Sequence, residues 1–188
     1  VDLVLAAEGG GVVAVPITAP RVFEAIAARQ GGAIVRTRAS LSALMQLAAK
    51  RRDLLLLGDG QGAMIFPRFY PVADGLFSIA KIVELLLHQH IRFEDAVDSI
   101  PEFIISSALV ACRWEHKGSV MRQLSEQFSD RRHQTVDGLR IEADEGWVLI
   151  TPDSDGPYIS IHAEGIDEAA TSLLIQHYSD QITALQHA

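Results

Sequence analysis

Two short loops hold the residues whose types and spacing are suited to chemistry. The first is Thr151-Pro152-Asp153-Ser154-Asp155-Gly156-Pro157, within the longer stretch Asp144 to Glu164. An apolar run, Trp147 to Ile150, enters it and an alternating run, Tyr158 to Ala163, leaves it. Two strands presenting a Pro/Ser/Gly loop read as a scaffold for a small ligand. The second is Gly58-Asp59-Gly60-Gln61-Gly62, placed after four leucines and before Ala63-Met64-Ile65-Phe66. A glycine-rich turn at a strand end is a place where backbone approaches a ligand closely. In the first loop the carboxylates of Asp153 and Asp155 only accept hydrogen bonds at neutral pH. Each would oppose a bound anion, at a cost of about 1 kcal/mol at 4 Å in bulk water and about 4 at an effective dielectric of 20.

Other reactive side chains carry blander readings. His88 and His90 stand two apart near a helix end, where they point in different directions, so solvated histidines outweigh a metal pair. Asp153, Ser154 and Asp155 resemble part of a calcium loop but lack its ligand count and terminal Glu. Cys112 has Arg113 and His116 nearby, which would lower a thiol pKa, yet a semi-buried structural cysteine is the expected role. No Gly-x-Ser-x-Gly frames a nucleophile. Trp114 and Trp147 are expected in a core.

The elements that must position these loops follow from periodicity. Val1 to Glu8 reads as a helix ended by Gly9-Gly10-Gly11. Val12 to Pro16, Ala33 to Arg36 and Asp53 to Leu57 read as buried strands, with helices opening at Thr18-Ala19-Pro20 and at Ser40 between them. Val22, Phe23 and Ile26 form the inner face of the first of those helices. Strand and helix alternating in this way argue for a parallel sheet with right-handed crossovers. Asp74 caps a helix from Gly75 to His88, with Leu76, Ile79, Ala80, Val83, Leu86 and Leu87 on one broad apolar face. Phe93 to Ile100 reads as a short helix and Pro101 opens a linker. Beyond it come a strand at Ser107 to Cys112 and a helix at Lys117 to Phe128 using Val120, Leu124 and Phe128. A hairpin built from Gln134 to Ile141 and Gly146 to Ile150 turns at Asp137-Gly138, and a strand runs from Tyr158 to Ala163. A closing helix, Ile166 to Ala188, has Asp167 and Glu168 in its first turn. The fold class is therefore α/β, three layers with a mostly parallel sheet, for residues 1–104. Residues 105–188 form a small α+β domain whose antiparallel sheet is covered by helices on one face.

Totals narrow the function classes. The 188 residues carry a net charge of −8. Residues 1–100 hold ten basic and ten acidic side chains, and residues 101–188 hold six and fourteen, so the second part carries the whole imbalance. Neither part has the basic stripe a nucleic-acid surface needs. No segment approaches the roughly 20 apolar residues that span a bilayer, so no membrane partner is expected. No export signal is visible at the start, and the chain opens without Met in what reads as a helix, so a piece of a longer protein is expected. The single Cys112 suits a reducing cytoplasm.

Several motifs together resemble the phosphoglucomutase/phosphomannomutase (α-D-phosphohexomutase) family. Val35-Arg36-Thr37 is similar to the Val-Val-Arg-Thr strand of its third domain, Gly58 to Ile65 to its sugar loop Gly-Gly-Glu-x-Ser-Gly-His-Ile, and Asp74-Gly75 to its Asp-Gly helix start. Cys112 to Gly118, Asp137 to Ile141 and Asp144 to Ile150 resemble its fourth domain. Thr151 to Pro157 is similar to its phosphate loop Arg-Pro-Ser-Gly-Thr-Glu-Pro. The resemblance implies the family's third domain entered partway (1–104) and its fourth (105–188). It also implies departures. Gly60 stands for the sugar-binding Glu and Gly62 for the Ser, leaving Asp59 and Gln61 at neighbouring positions. Thr151 replaces the phosphate-gripping Arg, and Asp153 and Asp155 replace Ser and Thr, leaving Ser154 and Gly156 as the remaining candidates. The family's phosphoserine and magnesium loops lie in its first two domains, so neither catalytic nor metal residues are expected here, although magnesium serves the family.

Gly58 to Pro67 followed by Phe69 is further similar to the mutase-like C-terminal region of bacterial proteins that begin with a sugar-1-phosphate nucleotidyltransferase. The resemblance implies a C-terminal, non-catalytic module of a sugar-phosphate or sugar-nucleotide enzyme, working with upstream domains of the same polypeptide. A phosphosugar or sugar nucleotide is its implied ligand, and a homo-oligomer is one assembly open to it. Two alternatives stay open: a piece of an active mutase with a divergent substrate, and a non-enzymatic interaction or oligomerisation domain.

Overall fold

The computed structural model describes residues 1–128, 133–134, 137–143 and 146–186. They form two compact units, Val1–Glu102 and Phe103–Ala188.

In the first unit the β-branched and leucine runs become strands β1 (Gly11–Pro16), β2 (Gly32–Thr37) and β3 (Leu54–Gly58), and Met64–Ile65 adds a short β4. Their order is β2-β1-β3-β4, with β1 parallel to both neighbours and β4 antiparallel to β3. Four helices pack around this sheet: α1 (Asp2–Glu8), α2 (Val22–Arg29), α3 (Leu41–Lys50) and α4 (Gly75–Gln89). The core falls into two clusters, as a three-layer domain requires. Val13, Val15 and Leu56 pack with residues of α1, α2 and α4, and Ala14 and Leu54 pack with Leu44 and Ala48 of α3. Ser40 and Asp74 cap α3 and α4 by accepting from the backbone N–H groups of Ala43 and Phe77 at 3.2 and 2.9 Å. The short α5 (Phe93–Asp98) ends the unit and buries none of its residues.

Two expectations fail in this unit. The first helix after β1 starts at Val22 rather than at Thr18–Pro20. The carbonyls of Pro16, Ala19 and Pro20 are instead taken by the Arg36 guanidinium, so the segment is an ordered loop. The second concerns α4. Ser78 and Leu85 are its buried positions, whereas Leu76, Ile79, Val83 and Leu87 face solvent. Six apolar residues on one broad arc could not reveal which edge of that arc meets the sheet.

In the second unit β5 (Ile104–Ala111), β6 (His133–Gln134), β7 (Leu139–Ala143), β8 (Gly146–Pro152) and β9 (Tyr158–Gly165) form an antiparallel sheet in the order β5-β9-β8-β7-β6. Helices α6 (Trp114–Gln127) and α7 (Glu168–Leu185) supply Val120, Leu124, Tyr178 and Ile182 to one core with Ile159, Ile161 and Ala163 of β9. β7 and β8 pair as the hairpin expected, but Asp137-Gly138 lies between β6 and β7 and is not its turn; Asp144 and Glu145, which join β7 to β8, lie outside the described residues, as do residues 135–136 and 187–188. Both β5 and α6 begin three residues earlier than the sequence suggested. Trp147 is fully buried, but Trp114 is 54% exposed and does not enter the core. Gly146 admits no side chain: its φ is 157° and a Cβ would run into the Glu164 carbonyl oxygen.

Candidate functional site

The Gly58–Gly62 loop is held at the C-terminal edge of β1 and β3. β1 leads to β2 through α2 and β2 returns to β3 through α3, helices that pack with different core clusters, so the crevice between β1 and β3 is a topological switch point. A cavity of about 280 Å³ opens there, lined by Val15, Pro16, Phe23, Gly58, Gly60 and Gly62 among others. No charged side chain lines it. Asp59 turns into its own loop, where its Oδ1 accepts from the N–H groups of Gln61 and Ala63 at 2.7 and 2.9 Å. Gly60 and Gly62 have φ of 78° and 114°, conformations in which the chain turns at no steric cost. The cleft is thus in a ligand-binding position but has an apolar wall, and its nearest carboxylate is occupied with the turn.

Arg36 fixes the neighbouring rim. It holds Glu24 in a two-bond fork at 2.8 and 2.6 Å and donates to the carbonyls of Pro16 and Pro20, both at 3.1 Å, and of Ala19. Its donors serve the β1–α2 loop, which makes it a brace for the crevice.

The other loop, Thr151 to Pro157, connects β8 and β9 and repeats the device used at Asp59. Asp153 Oδ1 accepts from the N–H groups of Asp155 and Gly156 at 2.8 and 2.7 Å. Those two bonds, with a smaller contribution from Lys117, hold the Asp153 carboxyl below the usual carboxylate range. The backbone donors that a loop of this kind would offer an anion are occupied by the loop's own carboxylate. Ser154 Oγ lies 3.2 Å from Asp155 Oδ1, so its hydroxyl also has a partner within the loop.

Behind the loop stands Lys117 of α6. Its Nζ donates to the carbonyls of Asp153 and Gly156 at 2.6 and 2.5 Å and lies 3.6 Å from the centre of the Trp114 ring. This explains the exposed Trp114: one face of the ring covers a buried ammonium. Cys112 N donates to Pro157 O at 2.7 Å, tying the far end of the loop to the residue after β5. The Cys112 thiol is buried and burial pushes its pKa up, against a smaller lowering by Lys117, so the cysteine is structural. His88 and His90 are both exposed, and His90 adopts the left-handed conformation that ends α4. Among the described residues no three His, Cys, Asp or Glu side chains gather as a metal-binding group. No described helix is long and apolar enough to cross a membrane.

Sequence reasoning named both loops but missed how they are occupied. The signal was present, because an aspartate two to four residues ahead of small turn residues is the spacing of an Asx turn. Lys117 carried no such signal. Its position behind a loop 36 residues away is set by the packing of α6.

No family model matches the chain. A probable phosphoglucosamine mutase of Methanopyrus kandleri is 31% identical over 181 residues, which cover 94% of this chain and 39% of that protein. A phosphoglucomutase/phosphomannomutase of Thermococcus kodakarensis is 28% identical over 169 residues, 89% of this chain and 37% of that one. Among solved structures, a phosphoglucomutase/phosphomannomutase family protein from Burkholderia thailandensis superposes with a TM-score of 0.76 at 22% identity. That match covers 98% of this chain and 40% of the other. An Aspergillus fumigatus N-acetylphosphoglucosamine mutase, solved with GlcNAc-6P and magnesium, gives 0.66 at 10% identity, again over 98% of this chain and 41% of that one. The chain spans about two fifths of the length of the relatives it matches. It belongs to the phosphoglucomutase/phosphomannomutase family of α-D-phosphohexomutases, of which it represents a C-terminal portion.

Proposed function

We propose that this chain is a non-catalytic C-terminal module of a sugar-phosphate or sugar-nucleotide enzyme, in which the ancestral ligand loops have become structural turns. The observation that carries this reading is the Asp153 carboxylate seated on the N–H groups of Asp155 and Gly156. A phosphate would have to displace it and then sit beside both Asp153 and Asp155, with Thr151 offering no guanidinium. Asp59 plays the same part in the Gly58–Gly62 turn, beside a cavity whose wall is apolar. Magnesium serves the family, and among the described residues no three His, Cys, Asp or Glu side chains gather to receive it. The partners under this reading are upstream domains of the same polypeptide. The likeness of Gly58 to Phe69 to nucleotidyltransferase fusions supports a mannose-1-phosphate guanylyltransferase-like partner domain, in a reducing cytoplasm.

The second reading, a portion of an active mutase with a divergent substrate, is favoured by the 31% identity to a protein named probable phosphoglucosamine mutase. Calorimetric titration of this chain with glucose, mannose and glucosamine 6-phosphates separates the two. No heat of binding is expected at millimolar ligand. Sub-millimolar binding that Ser154→Ala abolishes would overturn the non-catalytic reading and favour the mutase.

A further inference from the structure

A further cavity in the first unit, again of about 280 Å³, shares no lining residue with the crevice at Gly58–Gly62. Its place follows from the strand order. β4 runs antiparallel to β3, pairing Met64 with Gly58 and Ile65 with Leu57, so the chain beyond it returns toward the start of β3. There the cavity opens over Leu55, between Val4 and Glu8 of α1 and Phe77, Lys81 and Leu85 of α4. It lies toward the opposite end of the strands from the crevice and is independent of the function proposed for the two loops.

The walls are preformed. The Phe66 carbonyl accepts from the N–H groups of Phe69 and Tyr70, both at 2.9 Å, in a tight turn that sets Arg68 and Phe69 on the cavity's edge. Phe69 stacks on Phe77 at 3.9 Å and Phe66 meets Phe77 edge-on at 5.3 Å, which fixes the aromatic wall. Lys81 stands out against this setting. Phe77, Lys81 and Leu85 lie four apart on one helical ridge, so a cation sits between two apolar residues on the side of α4 that faces α1. Its ammonium reaches outward to Glu84 at 3.0 Å, a carboxylate that does not line the cavity. Arg68 holds Glu8 through Nη1 at 2.7 Å, which uses one of the five donors a guanidinium carries. Two cations and one carboxylate thus border an otherwise apolar space.

From this combination we infer that the cavity binds a small aryl monocarboxylate, its ring against Phe66, Phe77 and Leu85 and its carboxylate between Arg68 and Lys81. An apolar wall with a few convergent polar groups is the make-up of a small-molecule site. A ring suits this wall because aromatic side chains pack by edge and offset face. One negative charge matches the single surplus positive charge, whereas a phosphate or a dicarboxylate would set a second one beside Glu8. The planar carboxylate also fits the fork of Arg68. Size follows from volume: at about 30 Å³ for each water-sized group, the cavity holds roughly nine or ten heavy atoms, the size of phenylacetate. A ligand that small in an open site binds with a dissociation constant on the order of 1 mM.

Titration of phenylacetate into the isotope-labelled 188-residue chain, followed by amide chemical shifts, tests this. Saturable shifts at Glu8, Phe69 and Lys81 are expected, with a dissociation constant of about 0.3–3 mM. Lys81→Met keeps the stem that lines the cavity and removes the charge, and should weaken binding at least about fivefold. Arg68→Gln is a second, independent variant with the same expected loss, and the amide spectrum of each variant shows whether it is folded. Phenylacetamide, which has the same shape without the charge, should bind at least about fivefold more weakly than phenylacetate. The absence of any saturable shift up to about 20 mM would overturn the proposal. Equal binding of the acid and the amide, or undiminished binding in both variants, would overturn it as well. So would shifts confined to Gly58–Gly62, which would place the ligand in the crevice.

Discussion

Replacing Lys117 with Met tests whether the Thr151–Pro157 loop is a structural turn. Lys117 is 6% exposed, and its Nζ donates to two carbonyls of the loop at 2.6 and 2.5 Å. Methionine keeps an unbranched stem of similar length and removes only the charged head. A hydrogen bond to a charged group contributes about 1.5–3 kcal/mol, so two amount to roughly 3–6 in gross terms. Burying the ammonium costs several kcal/mol, which the variant recovers in part. The loop is only half buried at Asp153 and Gly156, so water can reach the freed carbonyls. The net loss is about 2 kcal/mol. If the chain melts as one cooperative body, that lowers Tm by about 4–8 °C; if the unit Phe103–Ala188 melts by itself, by about 8–16 °C. Thermal unfolding followed by circular dichroism reads the shift directly. A change below about 2 °C would refute the assignment of Lys117 as the loop's internal brace. So would a parent chain that binds phosphosugar and a variant that loses binding with Tm unchanged, since Lys117 would then be a ligand.

Two further perturbations probe the same physical account. Arg36→Lys keeps the charge but loses the fork on Glu24 and most of the bonds to Pro16, Ala19 and Pro20, and should cost about 2–3 kcal/mol in urea unfolding. A loss under about 0.5 kcal/mol would show that the β1–α2 loop holds without its brace. Burial lowers the pKa of His162 on β9 below its ordinary 6.5. The unfolded chain therefore binds the proton first as pH falls, so stability should decline from about pH 6.5 downward until the folded histidine also titrates. His162→Gln should flatten that part of a stability–pH profile, and an unchanged slope would locate the dependence in other groups.

Much of the architecture was legible in the order of residues. The runs Val12 to Pro16, Ala33 to Arg36 and Asp53 to Leu57 became parallel strands because β-branched and leucine runs without alternation suit a sheet covered on both faces. Ser40 and Asp74 announced two helix starts through side chains that satisfy free N–H groups, whereas Asp167, read from the sequence as a first-turn residue, is the cap of α7. The side chains of Thr151, Asp153 and Asp155 were likewise readable as weak grips for an anion, because the donor capacity of a side chain is a local property.

Only the tertiary structure decided what those groups do instead. That Asp153 folds onto its own N–H groups depends on the backbone course between β8 and β9, and that Lys117 braces it depends on where α6 packs. Arg36 likewise became a brace because β2 lies beside β1, which brings residues 20 positions apart into contact. The same reason governs α4. Its periodicity established an apolar helix, but which edge of the apolar arc meets the sheet is set by Phe66, Phe69 and Leu3, contacts distant enough in sequence that no local pattern encodes them.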